Sequence, residues 1–356
     1  MKKKKILVIC PFPEKLAAGQ RFKYEQYFDY WKKNNFDIKV SSFMSKDFYN
    51  IAFSKGNYFQ KLFGVLIGYG RRIIDIFRLN KYDIIYIFMW VTPFGTSFFE
   101  RVYVFLSNKI IYDIEDNIHQ KNYYSSFRNF FSSHNKIIYL IKMSDHVITS
   151  SPYLNQECLK INKSKCCTYI SSSIDTKRFK IKNSSLKETV LGWTGTHSSK
   201  KYLELLKPIF LDLNRQIKFK LIIISNFTFY IPNLDIVNIK WNKKNEISDL
   251  HKIDIGLYPL DGKRWVDGKS GLKALQYMAI GVPVVASNFG INNKIIDHSK
   301  NGYLVNSKKE WIYYLKKLII NRKLRYKIGK KSRHLVMKKY STDVIKIQYL
   351  KILQNL

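Results

Sequence analysis

The sequence predicts an α/β protein with two consecutive domains, each containing a parallel sheet covered by helices on both faces. Short apolar runs rich in β-branched residues recur along the chain, and stretches of helical period separate several of them. Strands that alternate with helices in this way typically form parallel sheets. The runs lie at residues 6–10, 38–42, 84–88, 109–112 and 146–149, and then at 190–194, 220–224, 235–239, 255–258 and 282–286.

The helical stretches and one polar segment give the expected organisation. The strand pattern restarts near residue 190, after the polar residues 175–187, which we interpret as the linker between the domains. Periodic apolar positions predict helices over residues 21–33, 62–79, 202–214 and 270–280, and a charged amphipathic helical stretch over 321–356.

The net charge and the cysteines bear on the possible binding partners and on the cellular compartment. The 356 residues carry a formal net charge of +36, which attracts nucleic acid, anionic lipid or diphosphate substrates without selecting among them. Biased residue composition explains the same charge equally well. Cys166 and Cys167 are adjacent and lack zinc-ligand spacing, so we interpret the cysteines as free thiols of a reducing cytoplasm. The N-terminal apolar run is too short for a signal peptide, and no run approaches the ~20 residues that span a bilayer. We expect a cytoplasmic protein.

Residues 267–287, DGKSGLKALQYMAIGVPVVAS, are the most informative segment. They predict a helix that starts near Ser270 as N-cap and ends at Gly281, followed by a strand after Pro283. The start of such a helix offers free backbone N–H groups and the positive end of the helix dipole.

A diphosphate would fit this helix start. Gly268 and Gly271 let an anion approach the backbone, and Lys269 or Lys273 adds a full positive charge. The alternative is an ordinary helix start whose lysines are solvated.

The stretch from Ser270 to Ser287 resembles the signature of the group-1 glycosyl transferases (the family-4, GT-B type). The resemblance implies a GT-B fold of two facing Rossmann-like domains with an interdomain cleft. It also implies retaining sugar transfer from a nucleotide-diphosphate sugar, without a metal or other cofactor. The implied domains are residues 1–178 for the acceptor, residues 179–338 for the nucleotide sugar, and a C-terminal helix over 339–356 that packs back on the first domain.

The resemblance assigns donor-binding roles to several residues of this segment. The family's ribose-binding Glu corresponds to Gln276, whose amide oxygen can also accept a hydrogen bond. Its sugar-binding Glu corresponds to Gly268, which is a departure, and Asp267 is the neighbouring substitute. The residues expected to meet the sugar and phosphates through their backbone are Lys269, Ser270, Gly271 and Leu272.

A second segment, VLGWTGTHSSKKYLELL from Val190, resembles the family's phosphate-binding loop. Gly195 matches the family, Thr196 stands where the family has Arg, and Lys200 or Lys201 matches its Lys. Trp241 follows a predicted strand where the family binds the nucleotide base. It can stack on a base or belong to the core.

The first domain has two candidate acceptor-side groups. Gly19 and Arg21 follow the first predicted strand in a stretch that resembles the family's first loop and helix. Arg21 can meet an anionic acceptor or the donor phosphate, and the alternative is that it only caps a surface. Three carboxylates, Asp113, Glu115 and Asp116, follow another strand, where a similar run occurs in capsule and O-antigen branches of the family. We treat the carboxylates as candidates to orient the acceptor hydroxyl or to accept its proton.

Two histidines are weaker candidates for the same region. His119 and His197 both fall in predicted loops, and each is more simply explained as an ordinary polar loop residue.

Residues 55–77 mix aromatic, apolar and basic side chains in a helical period. Such a helix can lie on an anionic membrane surface, which would place the protein peripherally on the inner face of the cell membrane. The alternative, slightly favoured from sequence, is a domain helix that buries its apolar face.

Taken together, the sequence predicts transfer of a sugar from a nucleotide sugar to a glycan or lipid-linked acceptor of cell-surface polysaccharide such as capsule or lipopolysaccharide. A non-catalytic GT-B protein that binds a nucleotide or partner is the main alternative, because Gly268 and Thr196 replace functional residues. Only charge suggests a nucleic-acid binder, and no recognition motif supports one. The first strand is not followed by GxGxxG, which argues against a dehydrogenase.

Overall fold

The computed structural model describes residues 3–117, 134–182 and 188–356. The chain divides into two compact units. The first unit contains Met1–Ser172, Gly268–Ser270 and Ile345–Leu356, and the second contains Ser173–Asp267 and Gly271–Val344.

The described part of the first unit contains a parallel sheet of six strands. Its apolar strand residues alternate between two cores: Ile6 and Val8 face one, and Leu7 and Ile9 face the other. The spatial order is β2-β1-β3-β4-β5-β6, so the direction of the strand order reverses between β1 and β3. The strands are β1 Lys4–Cys10, β2 Phe36–Ser42, β3 Ile84–Phe88, β4 Ile110–Ile114, β5 His146–Thr149 and β6 Cys167–Tyr169.

Helices cover both faces of this sheet. The predicted helix over residues 21–33 is two short α-helices separated by a 3-10 turn, and the helix predicted at 62–79 begins four residues earlier. The described α-helices are α1 Ala18–Arg21, α2 Phe28–Lys33, α3 Lys46–Ala52, α4 Tyr58–Ile76, α5 Phe98–Leu106, α6 His134–Met143 and α7 Pro152–Ile161.

The described part of the second unit also contains six parallel strands, in the order β12-β11-β10-β7-β8-β9. The strand order reverses between β7 and β10, as in dinucleotide-binding folds. The strands are β7 Val190–Gly195, β8 Lys220–Ser225, β9 Ile236–Lys240, β10 Ile255–Tyr258, β11 Val284–Ser287 and β12 Gly302–Val305. The described α-helices between β7 and the C-terminal helix are α8 Lys200–Glu204, α9 Lys207–Gln216, α10 Glu246–Leu250, α11 Leu272–Ala279, α12 Asn292–Ile295, α13 Lys308–Ile320 and α14 Arg322–Leu335.

The first boundary between the units falls after Ser172, six residues before the position expected from sequence. Contacts inside the second unit explain the difference. Ile174 forms a parallel bridge with Ser341, and Arg333 donates a hydrogen bond to the carbonyl oxygen of Thr176 at 2.7 Å.

The C-terminal stretch is not one continuous helix. A π-helical turn, Val336–Tyr340, separates α14 from the last helix, α15 Thr342–Gln354. The end of α15 belongs to the first unit, where the ring centroid of Tyr349 lies 5.1 Å from that of Tyr27 and 5.8 Å from that of Trp31.

Helix α4 places its polar side toward the protein and its apolar side toward solvent. Gly64, Gly68, Arg72 and Asp75 are buried on the inner side. A Cβ atom at Gly64 or Gly68 would lie 2.5 Å from the ring of Phe48 or Phe43, respectively, so the helix packs closely there. The exposed apolar side chains are Tyr58, Phe59, Leu62, Phe63, Leu66, Ile67, Ile73 and Ile74, and Phe77 continues the row.

This orientation overturns the slightly favoured expectation that the helix buries its apolar face. The physical reason is Arg72, whose guanidinium donates to the carbonyl oxygens of Cys10 at 3.0 Å, Ser41 at 3.2 Å and Val91 at 2.8 Å. These bonds fix the charged side of α4 against the ends of β1 and β2. Within the described residues, no helix is both long enough and apolar enough to cross a bilayer.

We expect Gly68→Ala to lower the free energy of unfolding by about 1–3 kcal/mol, because the new methyl group would overlap the ring of Phe43. Gly70→Ala is the matched control on the same helix, since a Cβ atom there has no described neighbour within 4 Å. It should raise stability by about 0.5–1 kcal/mol through helix propensity. Chemical denaturation measures both, and a stabilising Gly68→Ala would contradict the orientation of α4.

Candidate functional site

The second unit has a tight loop where its strand order reverses. Strand β7 ends at Gly195, beside β10, and ligands of open α/β sheets bind beyond the carboxyl ends of strands at such a point. A Cβ atom at Gly195 would lie 2.3 Å from the ring of Trp193 and 2.6 Å from Ser199 Oγ, so the turn requires glycine. The backbone N–H of Thr196 donates to Ser199 Oγ at 3.2 Å and fixes the loop.

Lys273 of α11 reaches this loop. Its Nζ donates to Ser199 Oγ at 3.1 Å and lies 4.6 Å from the centroid of the Trp193 ring. Lys200 and Lys201, the predicted phosphate-binding lysines, lie over the rings of Phe227 at 5.3 Å and Tyr202 at 4.9 Å. The sequence predicts Lys273 only as an alternative to Lys269 for the positive charge at the start of α11.

Helix α11 begins one residue later than predicted. Its N-cap is Gly271, with φ 71°, and not Ser270. Glycine is needed there because a Cβ atom would be strained and would lie 2.3 Å from Ile295. Leu272 is the first helical residue and is half-buried.

Gln276 lies one helical turn beyond Lys273. The two residues are three apart, so they share one side of the helix. Gln276 is buried, and its amide makes no side-chain hydrogen bond to a residue that the structure describes. The amide is therefore available to a ligand.

Two other predicted donor-side residues occupy loops of the second unit. Trp241 follows β9 and is 37% exposed, so it is not a core residue. Its backbone N–H donates to the carbonyl oxygen of Ser225 at 2.9 Å, which holds it beside the end of β8. Asp267 is partly buried in the 3-10 turn Arg264–Gly268.

In the first unit, the three predicted carboxylates have different environments. Asp113, in β4, is fully buried, forms an ion pair with buried Lys23 and accepts a hydrogen bond from the hydroxyl of Tyr86. Burial raises the pKa of Asp113, and Lys23 opposes that effect. This carboxylate joins the core network and has no exposed surface.

Glu115 and Asp116 lie just beyond β4, next to Gly19. A Cβ atom at Gly19 would lie 2.6 Å from Glu115 Oε2, so glycine lets the backbone approach this carboxylate. Burial and then the charge of Asp116 raise the pKa of Glu115, while a hydrogen bond from Ser270 lowers it. Asp116 Oδ1 lies 3.7 Å from Lys269 Nζ. The first unit thus brings together Gly19, Glu115, Asp116, Lys269 and Ser270.

Gly268 has no space for a side chain. A Cβ atom there would lie 2.6 Å from the backbone nitrogen of Asn117 and 2.5 Å from its side-chain oxygen. The carbonyl oxygen of Gly268 accepts a hydrogen bond from Ser150 Oγ at 2.9 Å. A glutamate at this position would therefore have to displace the backbone of Asn117.

The remaining candidates are Arg21, His197 and His119. Arg21 is buried, with its guanidinium carbon 4.9 Å from the ring centroid of Phe22. His197 is exposed, and its backbone N–H donates to the side chain of Asn226 at 2.9 Å. His119 lies outside the described residues. Among the residues that the structure describes, no three His, Cys, Asp or Glu side chains are grouped so as to hold a metal ion.

Residues 175–335 match the family model described as glycosyl transferases group 1. A search of curated protein sequences finds no match.

Solved structures of similar fold cover nearly the whole chain. Sucrose-phosphate synthase from Thermosynechococcus elongatus has a TM-score of 0.71 at 14% identity, with 99% of both chains covered. HepE from Anabaena, in complex with UDP-glucose, has a TM-score of 0.69 at 14% identity over 99% of this chain and 100% of its own. A glycosyltransferase from Rickettsia africae has a TM-score of 0.69 at 15% identity, with 99% and 98% covered.

The two sheets and these structural neighbours establish a two-domain α/β fold of the GT-B type. Residues 175–335 are similar to the group 1 glycosyl transferases, and this similarity supports glycosyltransferase activity.

Proposed function

We propose that the protein transfers a sugar, with retention of anomeric configuration, from a nucleotide-diphosphate donor to a glycan or lipid-linked acceptor during synthesis of cell-surface polysaccharide such as capsule or lipopolysaccharide. The observation that carries the donor part is Lys273, whose Nζ contacts Ser199 in the loop that begins at Gly195. The UDP-glucose bound to HepE is a donor of the proposed class.

The donor site proposed in the second unit consists of the Gly195 loop and the start of α11. Breaking the bond between the anomeric carbon and the diphosphate oxygen leaves negative charge on the nucleoside diphosphate. Preorganised cations and N–H groups that face the developing charge lower this barrier most effectively. Lys273 Nζ and the N–H groups at the start of α11 supply that stabilisation, and we propose that no metal ion is required.

Gln276 is proposed to bind the ribose. It is three residues beyond Lys273 on the same helix, and the amide offers both an acceptor oxygen and donor hydrogens to ribose hydroxyls. The exposed indole of Trp241 is proposed to stack on the base.

Glu115 is proposed to act on the acceptor side, in the first unit. Its raised pKa brings the carboxyl closer to neutral pH, which suits a group that hydrogen-bonds the acceptor hydroxyl and takes its proton. Gly19 leaves space against the carboxylate oxygen, and the Asp116–Lys269 pair lies beside it.

An anionic membrane surface is the proposed location of the reaction. The exposed apolar side of α4 would insert among lipid headgroups, and the net charge of +36 would attract anionic lipid. A lipid-linked acceptor would then be presented to the first unit from the same surface.

The second candidate function is nucleotide binding without catalysis. Its support is Gly268, where the family has a sugar-binding Glu and this chain has no space for a side chain. Turnover assays with a panel of nucleotide sugars separate the two functions. Tight nucleotide binding without release of nucleoside diphosphate, with or without acceptor, would favour the non-catalytic protein.

We expect Lys273→Met to weaken nucleoside diphosphate binding by at least tenfold, because a charge-assisted hydrogen bond to phosphate is lost. The matched control is Lys317→Met, since Lys317 also packs over aromatic rings of the second unit, those of Tyr303 and Tyr313. Isothermal titration calorimetry measures both variants. Equal loss in the two would contradict the placement of the diphosphate.

In the wild-type protein, the pKa of Glu115 should lie above its ordinary value of 4.5. Asp116→Asn should lower it, because removing a nearby negative charge favours the carboxylate. NMR titration of the Glu115 carboxyl carbon reports this pKa, with Asp29→Asn as a control on α2. An ordinary wild-type value, or no response to Asp116→Asn, would rule out the proposed environment.

We expect the double variant Phe59→Ser and Phe63→Ser to bind phosphatidylglycerol vesicles more than tenfold more weakly. Each substitution removes the favourable free energy of transferring a phenyl ring from water into the membrane. Wild-type binding should also weaken with added salt. Tyr326→Ser is the control, an exposed aromatic side chain on α14 of the second unit. Co-sedimentation measures all three, and wild-type binding by the double variant would exclude α4 as the membrane contact.

A further inference from the structure

A cavity of about 660 Å³ lies in the first unit beyond the carboxyl ends of β1 and β2. Three segments line it: Pro13–Lys15 after β1, residues 40–42 and 44–46 at and after the end of β2, and the last turns of α4 with Arg78 beyond them. Open α/β sheets bind ligands beyond the carboxyl ends of their strands. The volume falls within the range of ~300–1,000 Å³ that is usual for small-molecule sites.

The lining of this basic cavity is positively charged. Its lining has two carboxylates, Glu14 and Asp75, and four cationic side chains, Lys15, Lys46, Arg71 and Arg78. Asp75 is paired with Arg78 and with buried Arg72. When these paired groups are set aside, Lys15, Lys46 and Arg71 remain against Glu14, so the lining keeps a net positive charge.

Arg71 is the best-placed cation of the basic cavity. Its Nη1 donates to the carbonyl oxygens of Ser42 at 3.2 Å and Phe43 at 3.4 Å, which fixes the guanidinium beside the end of β2. No carboxylate in the described part of the chain pairs with it. Its remaining N–H groups are therefore available to an anion, and a guanidinium fork matches phosphate oxygens well.

The basic cavity also borders the exposed apolar side of α4. Ile74 lines the cavity and is 62% exposed, and Phe77, at 77%, follows on the same side of the helix. A ligand that joins a phosphate to an apolar chain would place the phosphate in the cavity and the chain along α4.

We propose that the basic cavity binds a phosphate or diphosphate group of the acceptor. The inference rests on the proposed function in one respect, the identification of the ligand as the acceptor. The cavity itself consists of first-unit residues alone and shares no residue with the proposed donor site. The phosphate can come from a lipid-linked acceptor or from a soluble phosphorylated glycan. The chemistry recognised is the same in both.

The test is calorimetric titration of the full chain carrying Lys273→Met, which weakens the proposed donor site, with inorganic pyrophosphate and with farnesyl diphosphate. In this background, Arg71→Gln and Lys46→Gln should each weaken the binding of both ligands about tenfold, because each removes one charged contact. Lys32→Gln is the control, an exposed lysine of α2 away from the cavity. Arg71 donates hydrogen bonds to backbone carbonyl oxygens, so Arg71→Gln could also perturb the fold. Lys46 makes no such bond to a described residue, which makes Lys46→Gln the safer variant, and thermal unfolding measures the stability of both.

Tighter binding of farnesyl diphosphate than of pyrophosphate would assign the phosphate to a lipid-linked acceptor, and equal binding would assign it to a soluble one. Unchanged affinity in both cavity variants, or no binding of either ligand to the Lys273→Met chain, would overturn the proposal. Nucleoside diphosphate binding at the donor site is measured separately, in the chain that retains Lys273. Failure of this test and failure of the donor assignment are therefore separate results.

Discussion

The proposed donor site of the second unit depends on how closely α11 packs against its sheet. The ring of Tyr277 occupies the space where a side chain at Gly256 would lie, since a Cβ atom there would be 2.5 Å from the ring. The hydroxyl of Tyr277 accepts a hydrogen bond from the N–H of Thr194 at 2.8 Å. One side chain thus ties α11 to both β10 and β7. The same anchoring determines that Lys273, one turn earlier, reaches the Gly195 loop.

Backbone hydrogen bonds also fix the C-terminal end of α11. The N–H of Val282 donates to the carbonyl oxygen of Tyr277, and that of Gly281 to the carbonyl oxygen of Met278, which forms a Schellman motif. Gly281 adopts φ 76°, a conformation that suits glycine. With both ends determined by glycine, the helix has little freedom to shift along the sheet, and its polar side chains keep one register relative to β7.

In the first unit, the corresponding constraint is the buried guanidinium of Arg72. Because it satisfies carbonyl oxygens at the ends of two strands and beyond a third, the polar side of α4 must face inward. The exposed apolar side and the charged cavity beside it are two consequences of that single placement. Membrane contact and anion binding would therefore occur on neighbouring surfaces of one helix.

Sequence patterns predicted the strands well where the apolar runs are long. Two edge strands, Cys167–Tyr169 and Gly302–Val305, were not predicted. The first has only three residues, all half-buried, and the second begins with glycine, which is depleted in strands. The orientation of α4 was missed for a different reason. Periodicity shows that a helix has an apolar side, but only tertiary contacts, here those of Gly64, Gly68 and Arg72, decide which side faces the protein.

The site was predictable in part. The glycines, the helix and the strand after Pro283 follow from local rules, and the structure has the helix and its ending as expected. The contact of Lys273 with the Gly195 loop depends on the position of α11 relative to β7, which is a long-range property. Gly268 has no space for a side chain because Asn117, far earlier in the chain, lies against it. A local sequence pattern cannot predict such a contact.

The most direct measurement of the central claim is a crystal structure of the chain with a bound nucleoside diphosphate. The account predicts diphosphate oxygens within ~3.5 Å of Lys273 Nζ, beside the backbone of Gly195 and the start of α11. A diphosphate bound elsewhere on the second unit, away from Lys273, would contradict this placement.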